Sequence, residues 1–96
     1  MRVLVVYDVS TETAAGRRRL RKVAKACEGF GQRVQKSVFE CSLREIQYET
    51  LRNDLLHIMD TEQDDLRLYR LPDQALTKVE HFGVNRDIDF EEPLIV

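Results

Sequence analysis

Residues 32–41 read Gln-Arg-Val-Gln-Lys-Ser-Val-Phe-Glu-Cys. The stretch is strand-like, with Val34 and Val38 alternating with Ser37, Phe39 and Cys41 on the other face. It is either one long strand or two strands split by a kink near Lys36-Ser37. No Asn-Gly or glycine pair marks a hairpin there, so both readings stand at this level. The choice decides the order of elements along the whole chain.

Before this stretch, Val3-Leu-Val-Val-Tyr7 is a continuous apolar, β-branched run and reads as a central strand buried on both faces. Asp8, Ser10, Thr11 and Thr13 follow as helix N-cap candidates. Gly16, Leu20, Val23, Ala24 and Cys27 recur at helical spacing, which predicts a helix from about Thr13 to Glu28, stopped by Gly29. After it, Ser42-Leu-Arg-Glu45 has the pattern of a capping box and opens a second helix. The apolar stripe of that helix is Tyr48, Leu51, Leu55, Ile58 and Met59, and the polar run Asp60 to Asp65 ends it. Leu66 to Leu71 is predicted as a strand with a turn at Pro72-Asp73, and Val79 to Phe82 as a shorter strand ended by Gly83. With the middle stretch split, the order becomes βαββαβ, the ferredoxin-like order, with both helices on one face of the sheet. The expected class is α+β.

The chain has 96 residues, enough for one domain, expected to span 1–96 with an 82–96 tail. Hydrophobic residues make up 43% and charged residues 33%, with 4 Gly and 2 Pro, which excludes a disordered or collagenous chain. The longest apolar run is too short to span a membrane, and no signal peptide is recognisable. Cys27 and Cys41 show neither CxxC nor metal-ligand spacing, and His57 and His81 are isolated, so all four read as structural and the compartment as the reducing cytoplasm.

The net charge of −2 hides an asymmetry. Residues 1–36 carry nine basic side chains against three acidic ones, net +6, while the remainder carries six against fourteen, net −8. Much of the basic excess lies in the first helix, where Arg17, Arg18, Arg19, Arg21, Lys22 and Lys25 occur without an intervening acid. With Leu20 at the centre of the buried face, Arg18, Arg21, Lys22 and Lys25 point to solvent and Arg17 and Arg19 lie on the flanks. A merely solvated face usually mixes signs, because like charges at i,i+4 repel. Accepting that repulsion points to a polyanion, bound through its phosphates without base information. Arg33 and Lys36 sit near Phe39, which could stack on a base; by its period Phe39 reads as core.

Asp8 closes the first strand. Its plain reading is an N-cap or Asx-turn. Its other reading is a rigidly held oxygen ligand for a hard cation. One carboxylate is a poor metal site, and a symmetric dimer would solve this by bringing two Asp8 together. The bare Leu94-Ile95-Val96 end also points to a homodimer, since such an edge orders by pairing with another sheet.

Tyr7-Asp8-Val9 closing the first strand, the Arg-rich helix, and Arg33-Val-Gln-x-Ser-Val-Phe-Glu40 before a helix opened by Ser42-Leu43 together resemble a known family. It is the second-numbered CRISPR-associated protein, the small nuclease of the spacer-acquisition machinery. The resemblance covers nearly the whole chain. It implies a ferredoxin-like sandwich with an extra C-terminal strand that completes the partner protomer's sheet. It implies that Asp8 binds magnesium, or another divalent cation such as manganese, one carboxylate from each protomer. Arg17, Arg19, Arg33 and Phe39 are implied as supporting positions by match to the motif. The implied activity is metal-dependent endonuclease action on RNA or double-stranded DNA, and the implied partner is the CRISPR-associated integrase. Two alternatives stand beside the enzyme: a non-catalytic DNA-binding scaffold that bridges integrase dimers, and a generic ferredoxin-like interaction module.

Overall fold

The computed structural model describes residues 1–74 and 78–84. The middle stretch is split. The order is β1 (Arg2–Asp8), α1 (Ala14–Glu28), β2 (Gly31–Gln35), β3 (Val38–Ser42), α2 (Glu45–Ile58) and β4 (Asp65–Leu71). The sheet order is β2-β3-β1-β4 with every neighbouring pair antiparallel, which is the α+β, ferredoxin-like arrangement. Only Lys36 and Ser37 connect β2 to β3, and Gln35 stands opposite Val38. Neither turn residue has positive φ, so this is not one of the mirror-image turns that match strand twist. A β-bulge between Arg33 and Gln35 absorbs the mismatch.

One face of the sheet carries Val3, Val5 and Tyr7 of β1 with Phe39 and Cys41 of β3, all buried. Against them pack Val23 and Cys27 of α1 and Leu51 and Leu55 of α2. The other face carries Leu4 and Val6, with Val38 and Tyr69 as register neighbours. Among the described residues no helix lies over that face, and Tyr69 is 44% exposed. The run Val3 to Tyr7 is therefore covered on one side and half-buried on the other, rather than buried on both.

Three expectations are corrected. Ser42 does not cap α2, because it still pairs with Arg2 in the β1–β3 ladder and Leu43 N–H donates to the Met1 carbonyl at 2.7 Å. The cap falls on Arg44, whose backbone N–H donates to Gln47 Oε1 at 2.9 Å. Asp8 does not cap α1; Thr13 does, its hydroxyl accepting from Gly16 N–H at 3.0 Å. Val79 to Phe82 forms no strand, because it has no strand partner among the described residues, and Phe82 is 83% exposed. The predicted C-terminal strand, Leu94 to Val96, lies outside the described residues. Among the described residues no helix is long and apolar enough to cross a membrane.

Candidate functional site: a carboxylate groove beside a basic helix

Asp8 is the last residue of β1 and stands directly opposite Asp65, the first residue of β4. Both carboxylates belong to an open groove of about 540 Å³ that the β1–α1 loop walls on one side and the α2–β4 loop on the other. Val9, Ser10, Thr11 and Glu12 line the first wall, and Glu62, Gln63 and Asp64 the second.

Asp64 holds these walls together. Its side chain is 0% exposed. Arg19 donates to it from Nε at 2.8 Å and from Nη2 at 3.2 Å, a two-pronged contact. Ser10 N–H donates to Asp64 Oδ1 at 3.0 Å, and Asp60 N–H donates to Oδ2 at 3.0 Å. The Arg19 hydrogen bonds, helped by the Asp60 and Ser10 amides, hold the Asp64 carboxyl below the usual carboxylate range despite its burial. Arg19 is raised in return, chiefly by the Asp64 hydrogen bond.

Asp8 is treated differently. It is exposed, and among the described residues its carboxylate makes no hydrogen bond or ion pair. A rigid, free, hard oxygen donor fits a divalent cation. The described residues of one chain bring together no group of three or more His, Cys, Asp or Glu able to hold a metal.

Five basic side chains of α1 remain exposed: Arg17, Arg18, Arg21, Lys22 and Lys25. Arg17 Nη1 donates to the Thr11 carbonyl at 3.1 Å, which bends it over the β1–α1 loop. None of the five carries an ion pair among the described residues. Arg19 does not belong with them. The buried stripe of α1 is Gly16, Val23 and Cys27, with Leu20 only partly buried. Its centre is turned by about 40° from Leu20, at about 100° per residue, and the turn is toward Arg19.

Phe39 also departs from its implied place. Its ring is 0% exposed, so no face is free to stack on a base. Tyr7 stacks on it, with centroids 6.4 Å apart and planes 23° apart. The Arg33 guanidinium lies 5.2 Å from the Phe39 centroid and 3.8 Å from Glu28 Oε2. Alternation had placed Phe39 in the core, and the structure agrees with that reading. Arg33 is half-buried as its lid, with its charge at the surface. His57 and His81 are exposed.

Sequence reasoning missed Asp64. It lies in a polar run whose only visible role was to end a helix. The available signal was the offset of Gly16, Val23 and Cys27 from Leu20, which brings Arg19 close to the packed face and calls for a buried acid.

A four-stranded antiparallel sheet of this topology, with two helices packed on one face, defines a small ferredoxin-like α+β protein. The chain belongs to the CRISPR-associated protein Cas2 family, whose family model matches residues 1–79. It is 55% identical over 96 residues, 100% of both chains, to the CRISPR-associated endoribonuclease Cas2 1 of Moorella thermoacetica. It is 53% identical over 95 residues, 99% of both chains, to the CRISPR-associated endonuclease Cas2 of Halalkalibacterium halodurans. The crystal structure of Streptococcus pyogenes Cas2 at pH 6.5 superposes with a TM-score of 0.78 at 49% identity, covering 86% of this chain and 100% of that one.

Proposed function

We propose that the protein is a divalent-metal-dependent endonuclease that cuts phosphodiester bonds of RNA or double-stranded DNA as a homodimer. The observation that carries this reading is Asp8: an exposed carboxylate at the end of a central strand, free of cationic partners among the described residues, in a protein whose α1 presents five exposed cations without an ion pair among those residues. The names endoribonuclease and endonuclease borne by relatives at 55% and 53% identity support the same reaction class. Asp8 from each protomer would hold the ion, magnesium or manganese. When bound, the ion supplies positive charge that stabilises phosphate as the bond breaks. Arg17, Arg18, Arg21, Lys22, Lys25 and Arg33 would hold the sugar-phosphate backbone, which fixes the strand without reading bases. The sheet face with Leu4, Val6, Val38 and Tyr69, over which no helix lies among the described residues, supports a second copy as the dimer partner. The C-terminal Leu94, Ile95 and Val96 would add to the interface. The protein would act in CRISPR spacer acquisition in the cytoplasm, alongside the integrase.

A second reading rests on one observation. The exposed cations of α1 account for DNA binding without any chemistry, so the protein would serve as a DNA-binding scaffold that orients the integrase. Asp8→Asn separates the two. The enzyme reading expects cleavage to vanish with fold and nucleic-acid affinity kept. Cleavage by rigorously purified Asp8→Asn protein at the parent rate would remove that reading and put the scaffold first.

A further inference from the structure

We infer that Arg19 is not a phosphate contact in this protein but, with Asp64, a positioning residue that sets the groove in which Asp8 stands. The inference rests on the nuclease reading for what the groove does, and on geometry alone for what the pair does. Asp64 accepts four hydrogen bonds from three separate segments. Arg19 belongs to α1, Ser10 to the loop leaving β1 two residues past Asp8, and Asp60 to the loop leaving α2. The next residue after Asp64 is Asp65, the register partner of Asp8. One carboxylate therefore anchors both strand ends that carry the exposed acids.

Gly16 serves the same approach. A Cβ at this position would collide with the Ser10 carbonyl, so α1 can lie against the loop only because residue 16 is glycine. The Arg19 guanidinium offers its Nε edge to Asp64 and is 15% exposed, whereas neighbouring Arg17 and Arg18 are exposed. A nucleic acid drawing Arg19 outward would leave Asp64 as an uncompensated buried charge, which the fold resists. Substitution at Arg19 should therefore act through placement of the loop rather than through loss of affinity.

Four variants decide this: Arg17→Gln, Arg19→Gln, Arg19→Lys and Asp64→Asn, each first checked for a native circular dichroism spectrum. Affinity for one DNA duplex is measured by fluorescence anisotropy across a salt series. Arg17→Gln should flatten the slope of log affinity against log salt by about 0.9, the loss of one phosphate contact. Arg19→Gln, Arg19→Lys and Asp64→Asn should leave the slope at the parent value. Amide hydrogen exchange at Ser10 and Asp60 should rise roughly tenfold in these three, the lysine included, because an ammonium cannot reproduce the two-pronged bond. Cleavage should lose kcat with KM unchanged, and an Arg19→Gln/Asp64→Asn pair should be no worse than either single change. The inference is overturned if Arg19→Gln flattens the slope as Arg17→Gln does while Arg19→Lys restores it, or if Ser10 and Asp60 exchange at the parent rate. If the parent protein does not cleave, the nuclease reading fails, and slope and exchange still decide the role of Arg19.

Discussion

Asp8 and Asp65 face each other on the last rung of the β1–β4 ladder, so two carboxylates of like charge share one edge of the sheet. The fold tolerates this with only a weak offset: Asp65 lies 3.6 Å from the exposed Arg67 guanidinium, and Asp8 has no cation among the described residues. Directly opposed like charges in antiparallel strands destabilise by about 0.2–1 kcal/mol. Asp65→Asn should therefore stabilise the protein by an amount in that range. Urea unfolding at low salt measures it, and a lower midpoint in the variant would contradict the reading of this rung as repulsive.

Phe39 tests core against base platform. Its ring is sandwiched between Tyr7 and the Arg33 guanidinium and has no exposed face. Phe39→Ala should cost about 3–5 kcal/mol, as for other buried aromatic truncations. Phe39→Leu fills much of the space and should keep parent affinity for single-stranded RNA. A clear loss of affinity in folded Phe39→Leu protein would return Phe39 to the binding surface.

The two thiols set an alkaline limit. Burial pushes Cys27 up to about 12 and Cys41 up to about 11. Both folded values lie above the unfolded value of about 8.5. The linked stability is thus fully present below that value and is lost as pH rises through the folded values. The urea midpoint should fall steadily above about pH 8.5, and less so in Cys27→Ala/Cys41→Ala protein, whose starting stability is lower. At neutral pH a disulfide reagent should label neither thiol until the protein unfolds. Rapid labelling under native conditions would show that the core around them opens.

What could be read in the sequence follows the range of the interactions. Val3 to Tyr7 and the spacing of α1 are local patterns, and their strand and helix formed where periodicity predicts. The Lys36-Ser37 break stayed ambiguous because its turn carries no glycine or asparagine and relies on a bulge two residues earlier. Ser42 resembled a cap because the motif is local, whereas its pairing with Arg2 is not. Asp8 was visible at the end of its strand. Asp64 was not, since its donors lie 54, 45 and 4 residues away in sequence and meet only in the fold. Val79 to Phe82 has the composition of a strand but pairs with neither outer strand of the sheet, β2 or β4, among the described residues.

Asp64 also governs acid stability. Its carboxyl is held below the usual range, first by Arg19. The stability it contributes is present above the unfolded value of about 3.9 and is lost as pH falls through the lower folded value. Asp64→Asn cannot lose what it no longer has, so its midpoint should be lower than the parent's at pH 7 and less sensitive to acid below about pH 4. Parallel acid titrations of the two proteins, followed by circular dichroism, would reveal curves that keep a constant separation if Asp64 were unimportant.

The proposed sharing of a cation between two Asp8 makes a prediction that depends on counting protomers rather than on any distance. If both Asp8 carboxylates of a dimer are needed, only dimers of two parent protomers are active. When parent and Asp8→Asn chains are unfolded together, refolded and allowed to pair at random in equal amounts, activity per total dimer should fall to about one quarter of the parent preparation, because an isologous dimer draws each half independently. If each Asp8 works alone, about one half remains. The pairing must be real for this arithmetic to apply, and the open sheet face supplies the control. Leu4→Glu and Val6→Glu place a charge among Val38 and Tyr69, on the sheet face opposite the helices, without entering the core. They should shift the protein toward monomer in sedimentation and remove cleavage, although every Asp8 is intact. A monomeric variant that cleaves at the parent rate would mean that one Asp8 suffices, and that the ion, if any, is held within a single chain.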